Sequence, residues 1–260
     1  MDKTFIIANW KMNFNVEQAS IYLHRLNKQV TIHRNLEVII APSFLTLQPI
    51  SLEIDHQKFK LAAQNAFQKD QGAYTGEVSF TMLKGLAKYC IIGHSERRIY
   101  FNEDLDTISS KVSGAIRNDI IPILCIGENK TERIARETKK VLHDQIVTAL
   151  MGLTSDEVEK IIIAYEPIWA ISTFGGEIAK PNEIQKEIDY IIFQINELYG
   201  SRVAHKIPIL YGGSVNADSV SSYLALDGCR GALVGGASLN YLEFSKIINK
   251  AYTLGESVRN

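Results

Sequence analysis

Cysteine is scarce in this chain: Cys90, Cys125 and Cys229 are the only three among 260 residues, widely spaced and without a C-x-x-C pair. An odd, dispersed set cannot supply a disulfide framework and points to reduced thiols and a cytoplasmic location. Basic charge is not in excess, since 28 Lys and Arg face 29 Asp and Glu for a formal charge of −1. That balance lacks the footprint of a nucleic-acid binder, so any attraction for an anion must be local. No apolar run approaches the roughly 20 residues of a membrane helix, and the densest, 161–165, stops at Glu166. The short apolar stretch between Thr4 and Asn9 is too brief for the core of a secretory signal, so the expectation is a soluble, unexported protein that does not engage a membrane. No proline-rich, glycine/serine-rich or single-sign charged linker interrupts the chain, which predicts one domain over residues 1–260. His24, His33, His56, His143 and His205 show no metal-ligand spacing, so no metal is implied. G-x-G-x-x-G and G-x-x-x-x-G-K-[ST] are both missing, which removes the main support for dinucleotide and Walker-type sites.

What is present is a folding composition, 46% hydrophobic and 22% charged, and a recurring pattern. Short runs rich in Ile, Val and Ala occupy residues 5–8, 38–41, 61–63, 89–92, 121–126, 161–165, 207–211 and 232–234. Most lack polar alternation, as strands buried on both faces do. They lie too far apart for hairpins and far enough apart for helical crossovers. A helical stripe fills one gap at Ile184, Ile188, Ile191, Ile192, Ile195 and Leu198, opened by Pro181 and closed by Gly200. A second stripe runs through Ile134, Val141, Leu142, Ile146, Ala149 and Leu150 to Gly152. Eight strand-then-helix units in this length match a closed (β/α)8 barrel, with a doubly wound open sheet as the structural alternative.

Barrel enzymes carry their chemistry on the loops after the strands, and here those loops are polar. Asn9-Trp10-Lys11 follows the first run, Gln64-Asn65 the third, Gly93-His94-Ser95-Glu96-Arg97-Arg98 the fourth and Gly127-Glu128 the fifth. Glu166-Pro167-Ile168-Trp169-Ala170, Gly212-Gly213-Ser214 and Gly235-Gly236-Ala237-Ser238 follow the last three. Either glycine pair alone reads as a tight turn. Two of them after the seventh and eighth strands match the backbone N–H phosphate site that barrels commonly build there. His94 ends a strand and opens a helix, which favours a neutral imidazole able to donate a hydrogen bond. Lys11, beside Asn9, can neutralise a developing oxyanion or the phosphate. Glu166 is delivered by an apolar strand to a loop containing Trp169 and is the candidate general base. Cys90 and Cys125 read as small buried hydrophobes, and Arg97 and Arg98 as structural partners of nearby acids.

These segments, with Gly72-Ala73-Tyr74-Thr75-Gly76-Glu77 added, resemble the motifs of the triosephosphate isomerase family in that family's order, over nearly the whole chain. The resemblance implies an aldose–ketose isomerase of glycolysis and gluconeogenesis that needs no cofactor. It assigns Glu166 as base, His94 as electrophile, and Lys11 with Asn9 as electrostatic and hydrogen-bonding support, with Glu96 beside them. It further implies a small phosphorylated sugar held through Ser172, Ser214, Gly235 and Gly236, and a homodimer in which the loop around Thr75 reaches the partner's site. One departure concerns the lid: the family's Gly-Thr-Gly-Lys is replaced by Ser172-Thr173-Phe174-Gly175-Gly176-Glu177, with two extra residues before Pro181. Ser172 can take the family glycine's role if its φ is negative; another alignment gives that role to Gly175 or Gly176. Asn102 also replaces a common family glycine. The residues by themselves leave open a different short ketose phosphate, a Schiff-base lyase using Lys11, and a non-catalytic phosphate binder.

Overall fold

Eight short strands set the architecture of the computed structural model, which describes residues 3–32 and 34–257. They are β1 Thr4–Asn9, β2 Leu36–Ala41, β3 Phe59–Ala63, β4 Tyr89–Ile92, β5 Ile121–Ile126, β6 Ile162–Tyr165, β7 Ile209–Tyr211 and β8 Cys229–Val234. Each pairs in parallel with its sequence neighbour, and β1 also pairs with β8, Phe5 facing Gly231 and Ala8 facing Val234. That last ladder closes the sheet into a barrel and excludes the open-sheet alternative. His33 and the terminal residues of the predicted 1–260 domain lie outside the described residues.

The period of two along a strand divides the apolar residues into two cores. Phe5, Ile7, Ile39, Tyr89, Ile91, Ile123, Ile162 and Leu233 point inward and fill the barrel. Their alternates, among them Ile6, Ile40, Ile92, Leu124, Ile163 and Val234, face outward into the layer shared with the helices. Strands buried on both faces have no polar alternation to offer, which is why they read as continuous apolar runs.

Several element bounds differ from the sequence expectation for identifiable reasons. The third and eighth strands begin earlier, at Phe59 and Cys229, because backbone pairing tolerates Lys60, Arg230 and Gly231 where the apolar pattern lapses. The seventh begins later, at Ile209: Ile207 caps the preceding helix, and Pro208, which has no N–H to donate, contributes its carbonyl to Ile163 N at 2.9 Å. The helix Pro181–Tyr199 buries its predicted stripe from Ile184 to Ile195 but leaves Leu198 exposed in its last turn, with proline in its first turn and Gly200 at φ 83° at its end. The second stripe is two helices, Lys130–Ile134 and Thr138–Leu150. Ile134 is 75% exposed and does not belong to the buried face. Among the described residues no helix is long and apolar enough to cross a membrane.

Candidate active site

The inward rows end with Asn9 on β1 and, one step beyond the last inward residue of six other strands, bring Gln64, Gly93, Gly127, Glu166, Gly212 and Gly235 to the same mouth of the barrel. Glycine is required on both sides of Glu166. A Cβ on Gly127 would lie 1.9 Å from the Glu166 carbonyl oxygen, and one on Gly212 would lie 2.7 Å from Glu166 Cγ.

The three titratable candidates meet there. Glu166, only 2% exposed, places Oε1 at 3.2 Å from His94 Nε2 and accepts the Ser95 N–H on Oε2 at 3.2 Å. His94 caps the helix Ser95–Tyr100, and its Nδ1 accepts the Glu96 N–H at 3.3 Å. With Nδ1 accepting, a neutral ring carries its proton on Nε2, the nitrogen directed at Glu166. Lys11 sits in the left-handed region, φ 53°, its N–H bonded to Asn9 Oδ1 at 3.1 Å and its ammonium donating to Glu96 Oε1 at 2.6 Å. Gln64 holds that turn by donating to the Lys11 and Ala41 carbonyls at 2.9 and 2.8 Å.

A cavity of about 290 Å³ opens between Asn9, Lys11, His94 and Glu166 on one side and Ser172, Gly212, Gly213, Ser214, Gly235 and Gly236 on the other. Of the three lid candidates, Ser172 lines it and Gly175 and Gly176 do not. Ser172 is absent from the residues with positive φ, whereas Gly176 has φ 64°. Ser214 donates through both N–H and Oγ to Ala170 O, at 3.1 and 2.7 Å.

Two contacts in the lid region were not apparent from sequence. Thr173 Oγ1 lies 3.3 Å from Lys11 Nζ and 3.4 Å from Glu96 Oε1, so a lid hydroxyl rests on the ion pair. Phe174 packs on Tyr100, ring centroids 5.7 Å apart, joining the lid to the helix that carries Glu96. A third, at the lid's N-terminal hinge, concerns Glu128. It continues the outward row of β5 and is fully buried, accepting from Trp169 Nε1 at 2.8 Å and Tyr165 OH at 3.0 Å. Burial pushes its pKa up against these bonds and the nearby Arg133 guanidinium, which stacks 3.9 Å over the Trp169 ring. The detectable signal was its outward parity beside an indole one strand away.

The supporting residues divide. Arg97 Nε bonds Glu103 Oε1 at 3.0 Å, as expected of a partner for an acid. Arg98 does not: it donates to the carbonyls of Gly93 and Cys125 at 2.8 and 3.0 Å, because the helix turn aims it back at the barrel wall. Cys90 and Cys125 are buried free thiols, and burial pushes both up, with the Glu166 carboxylate adding to the effect at Cys125. Asn102 occupies the left-handed region at φ 51° in place of glycine, a conformation asparagine tolerates better than most residues. Thr75 stands on an exposed turn flanked by Gly72 and Gly76, at φ 142° and 92°.

A closed parallel barrel with a carboxylate, an imidazole and an ammonium converging on a glycine-walled cavity at the strands' C-terminal mouth defines an α/β-barrel enzyme. The profile of the family "Triosephosphate isomerase" matches residues 4–251. The chain is similar to the triosephosphate isomerase of Clostridium botulinum (strain Langeland), 43% identical over 249 residues that cover 95% of this chain and 99% of that protein. It is also similar to those of Dehalococcoides mccartyi (strain BAV1), 41% identical with 96% and 97% covered, and Thermodesulfovibrio yellowstonii, 42% identical with 95% and 99% covered. The chain belongs to the triosephosphate isomerase family and is an isomerase.

Proposed function

We propose that this chain interconverts dihydroxyacetone phosphate and D-glyceraldehyde 3-phosphate through an enediol(ate), within glycolysis and gluconeogenesis in the cytoplasm. Glu166 rotates from its Ser95 contact into the cavity and carries a proton between adjacent substrate carbons. His94 donates from Nε2 to the substrate oxygens as charge develops on them, and the Lys11 ammonium, held by Glu96 and flanked by Asn9, stabilises that charge. The phosphate rests against backbone N–H groups at Ser172, Ser214, Gly235 and Gly236, the Ser214 N–H turning from the Ala170 carbonyl to reach it. The longer lid closes over it and excludes water from the enediol phosphate, which would otherwise lose phosphate.

The observation that carries this reading is the 3.2 Å approach of Glu166 Oε1 to a His94 Nε2 whose ring is oriented from behind by the Glu96 N–H. A base and a hydrogen-bond donor side by side at a phosphate-sized cavity are what proton transfer next to a carbonyl needs. The reaction as written uses no metal or other cofactor. The test is a coupled assay with glyceraldehyde 3-phosphate on chelator-treated protein. Turnover is expected, with Glu166→Asp lower by about 10²-fold and His94→Ala by about 10²- to 10³-fold in kcat. Wild-type rates in either variant, or a Lys11 adduct trapped by borohydride, would overturn the assignment.

The same reading makes the chain one domain and half of a homodimer that engages neither nucleic acid nor membrane. Exposed apolar side chains support the dimer: Met12, 94% exposed, Leu45, Tyr74, Met82 and Phe101 all lie on segments following β1 to β4, as Thr75 does. Light scattering is expected to give twice the chain mass, and Thr75→Arg to lower both that mass and activity.

A further inference from the structure

Tyr22 lies on the helix Val16–Gln29, outside the barrel and away from the cavity, yet it touches the residues that stand next to both halves of the site. It is buried, and its hydroxyl donates to the Ser238 carbonyl at 2.5 Å. Ser238 belongs to the one-turn 3-10 helix Gly236–Leu239 that follows β8. Ser238 N and Oγ both return to the Gly235 carbonyl, at 2.8 and 2.7 Å, which closes the turn. Within such a turn carbonyls and N–H groups point in opposite directions along its axis. A donor seated on the Ser238 carbonyl therefore fixes the turn from behind, with the N–H groups of its leading residues toward the cavity.

The Tyr22 ring also meets Trp10 edge to face at 4.9 Å and Phe14 at 5.4 Å. Trp10 stands between Asn9 and Lys11. The two ends that Tyr22 joins come together at the cavity: a Cβ built on Gly235 would be 3.8 Å from Lys11 Nζ. Resting on the reading above, we infer that Tyr22 is a positioning residue that sets the spacing between the phosphate turn after β8 and the Lys11 strand end after β1. Burial pushes the Tyr22 phenol up, so the hydroxyl remains an O–H donor across the working pH range.

The phosphate grip is made in the ground state and in the transition state alike, so loosening it raises KM with little change in kcat. Tyr22→Phe keeps the ring and deletes only the hydroxyl. Losing one positioning hydrogen bond predicts a rise of about fivefold to tenfold in KM for glyceraldehyde 3-phosphate and in the inhibition constant of inorganic phosphate. Glyceraldehyde, which lacks the phosphate, is expected to be turned over equally by both proteins. Rescue of wild-type KM is not expected from added phosphate. Unchanged KM and phosphate inhibition, or an equal loss on both substrates, would overturn the inference. If wild type does not turn over glyceraldehyde 3-phosphate, the functional reading fails instead. Calorimetry with inorganic phosphate then judges Tyr22 separately: equal affinity in both proteins overturns its role, and weaker binding by Tyr22→Phe supports it.

Discussion

Adding one methyl group beside Glu166, as Gly212→Ala, gives a graded displacement of the proposed base. The new Cβ would lie 2.7 Å from Glu166 Cγ, 3.3 Å from Tyr165 O and 3.5 Å from Glu166 Oε1. Non-bonded carbons settle at about 3.5–4.0 Å, so the Glu166 side chain must withdraw by about 1 Å. Gly212 does not have positive φ, so alanine meets no left-handed backbone strain there, and the Gly212 N to Tyr165 O bond of 2.8 Å is retained. The fold should survive while the carboxylate moves. A misplacement of about 1 Å can cost on the order of 10²-fold in rate. The coupled assay should therefore show kcat falling by about that factor, with KM changing less, because Ser172 and the Gly235-Gly236 turn after β8 are untouched. Glu166→Asp withdraws the same carboxylate, so the two losses should combine to less than their product. A kcat equal to wild type, or losses that multiply fully, would refute the steric argument and with it the placement of the base.

Other perturbations probe the lid and the opposite end of the barrel. Trp169→Phe removes the 2.8 Å indole bond to buried Glu128 and narrows the aromatic face under Arg133, and should lower stability by about 1 kcal/mol; an unchanged Tm would argue against the hinge contact. Phe174→Ala deletes the lid's packing on Tyr100, an interaction of about 0.5–1.5 kcal/mol. The open lid should gain population and KM should rise severalfold, whereas identical kinetics and identical viscosity dependence would show that this pair does not hold the lid. Glu37 is buried, which alone would raise its pKa, but Lys3, Tyr89 and Lys88 outweigh this and hold it down at about 2 from an ordinary 4.5. A depressed carboxyl contributes stability that is present above pH 4.5 and is lost as pH falls toward 2. Glu37→Gln should be less stable at neutral pH with a flatter acid profile in that window, read by denaturant unfolding; parallel profiles would refute it.

The barrel and much of its mouth were legible because strand geometry is local. A short apolar run marks its strand within any small window, so Glu166 could be placed at the end of the run that closes with Tyr165 without knowing its neighbours. Sequence and structure part where the apolar signal lapses although the backbone still pairs, as at Lys60 and Arg230, or persists where pairing stops, as at Ile207 before Pro208. They part at Arg98 for a related reason: sequence shows a charge beside acids, whereas the short helix directs it onto carbonyls.

By itself, then, the order of residues determined eight apolar runs, the polar groups that follow them and the glycine turns that an anion could approach. Only the tertiary structure decided which outer residues stand behind those groups: Tyr22 under Ser238, Glu128 under Trp169, and Thr173 over the Lys11–Glu96 pair. The physical reason is range. Strand periodicity repeats every two residues and survives in any short window, but these contacts join positions far apart in the chain, 216 residues for Tyr22 and Ser238. Those of Glu128 exist only once β5 and β6 have paired, and those of Tyr22 only once the β1 to β8 ladder has closed and fixed where its helix lies against the barrel wall.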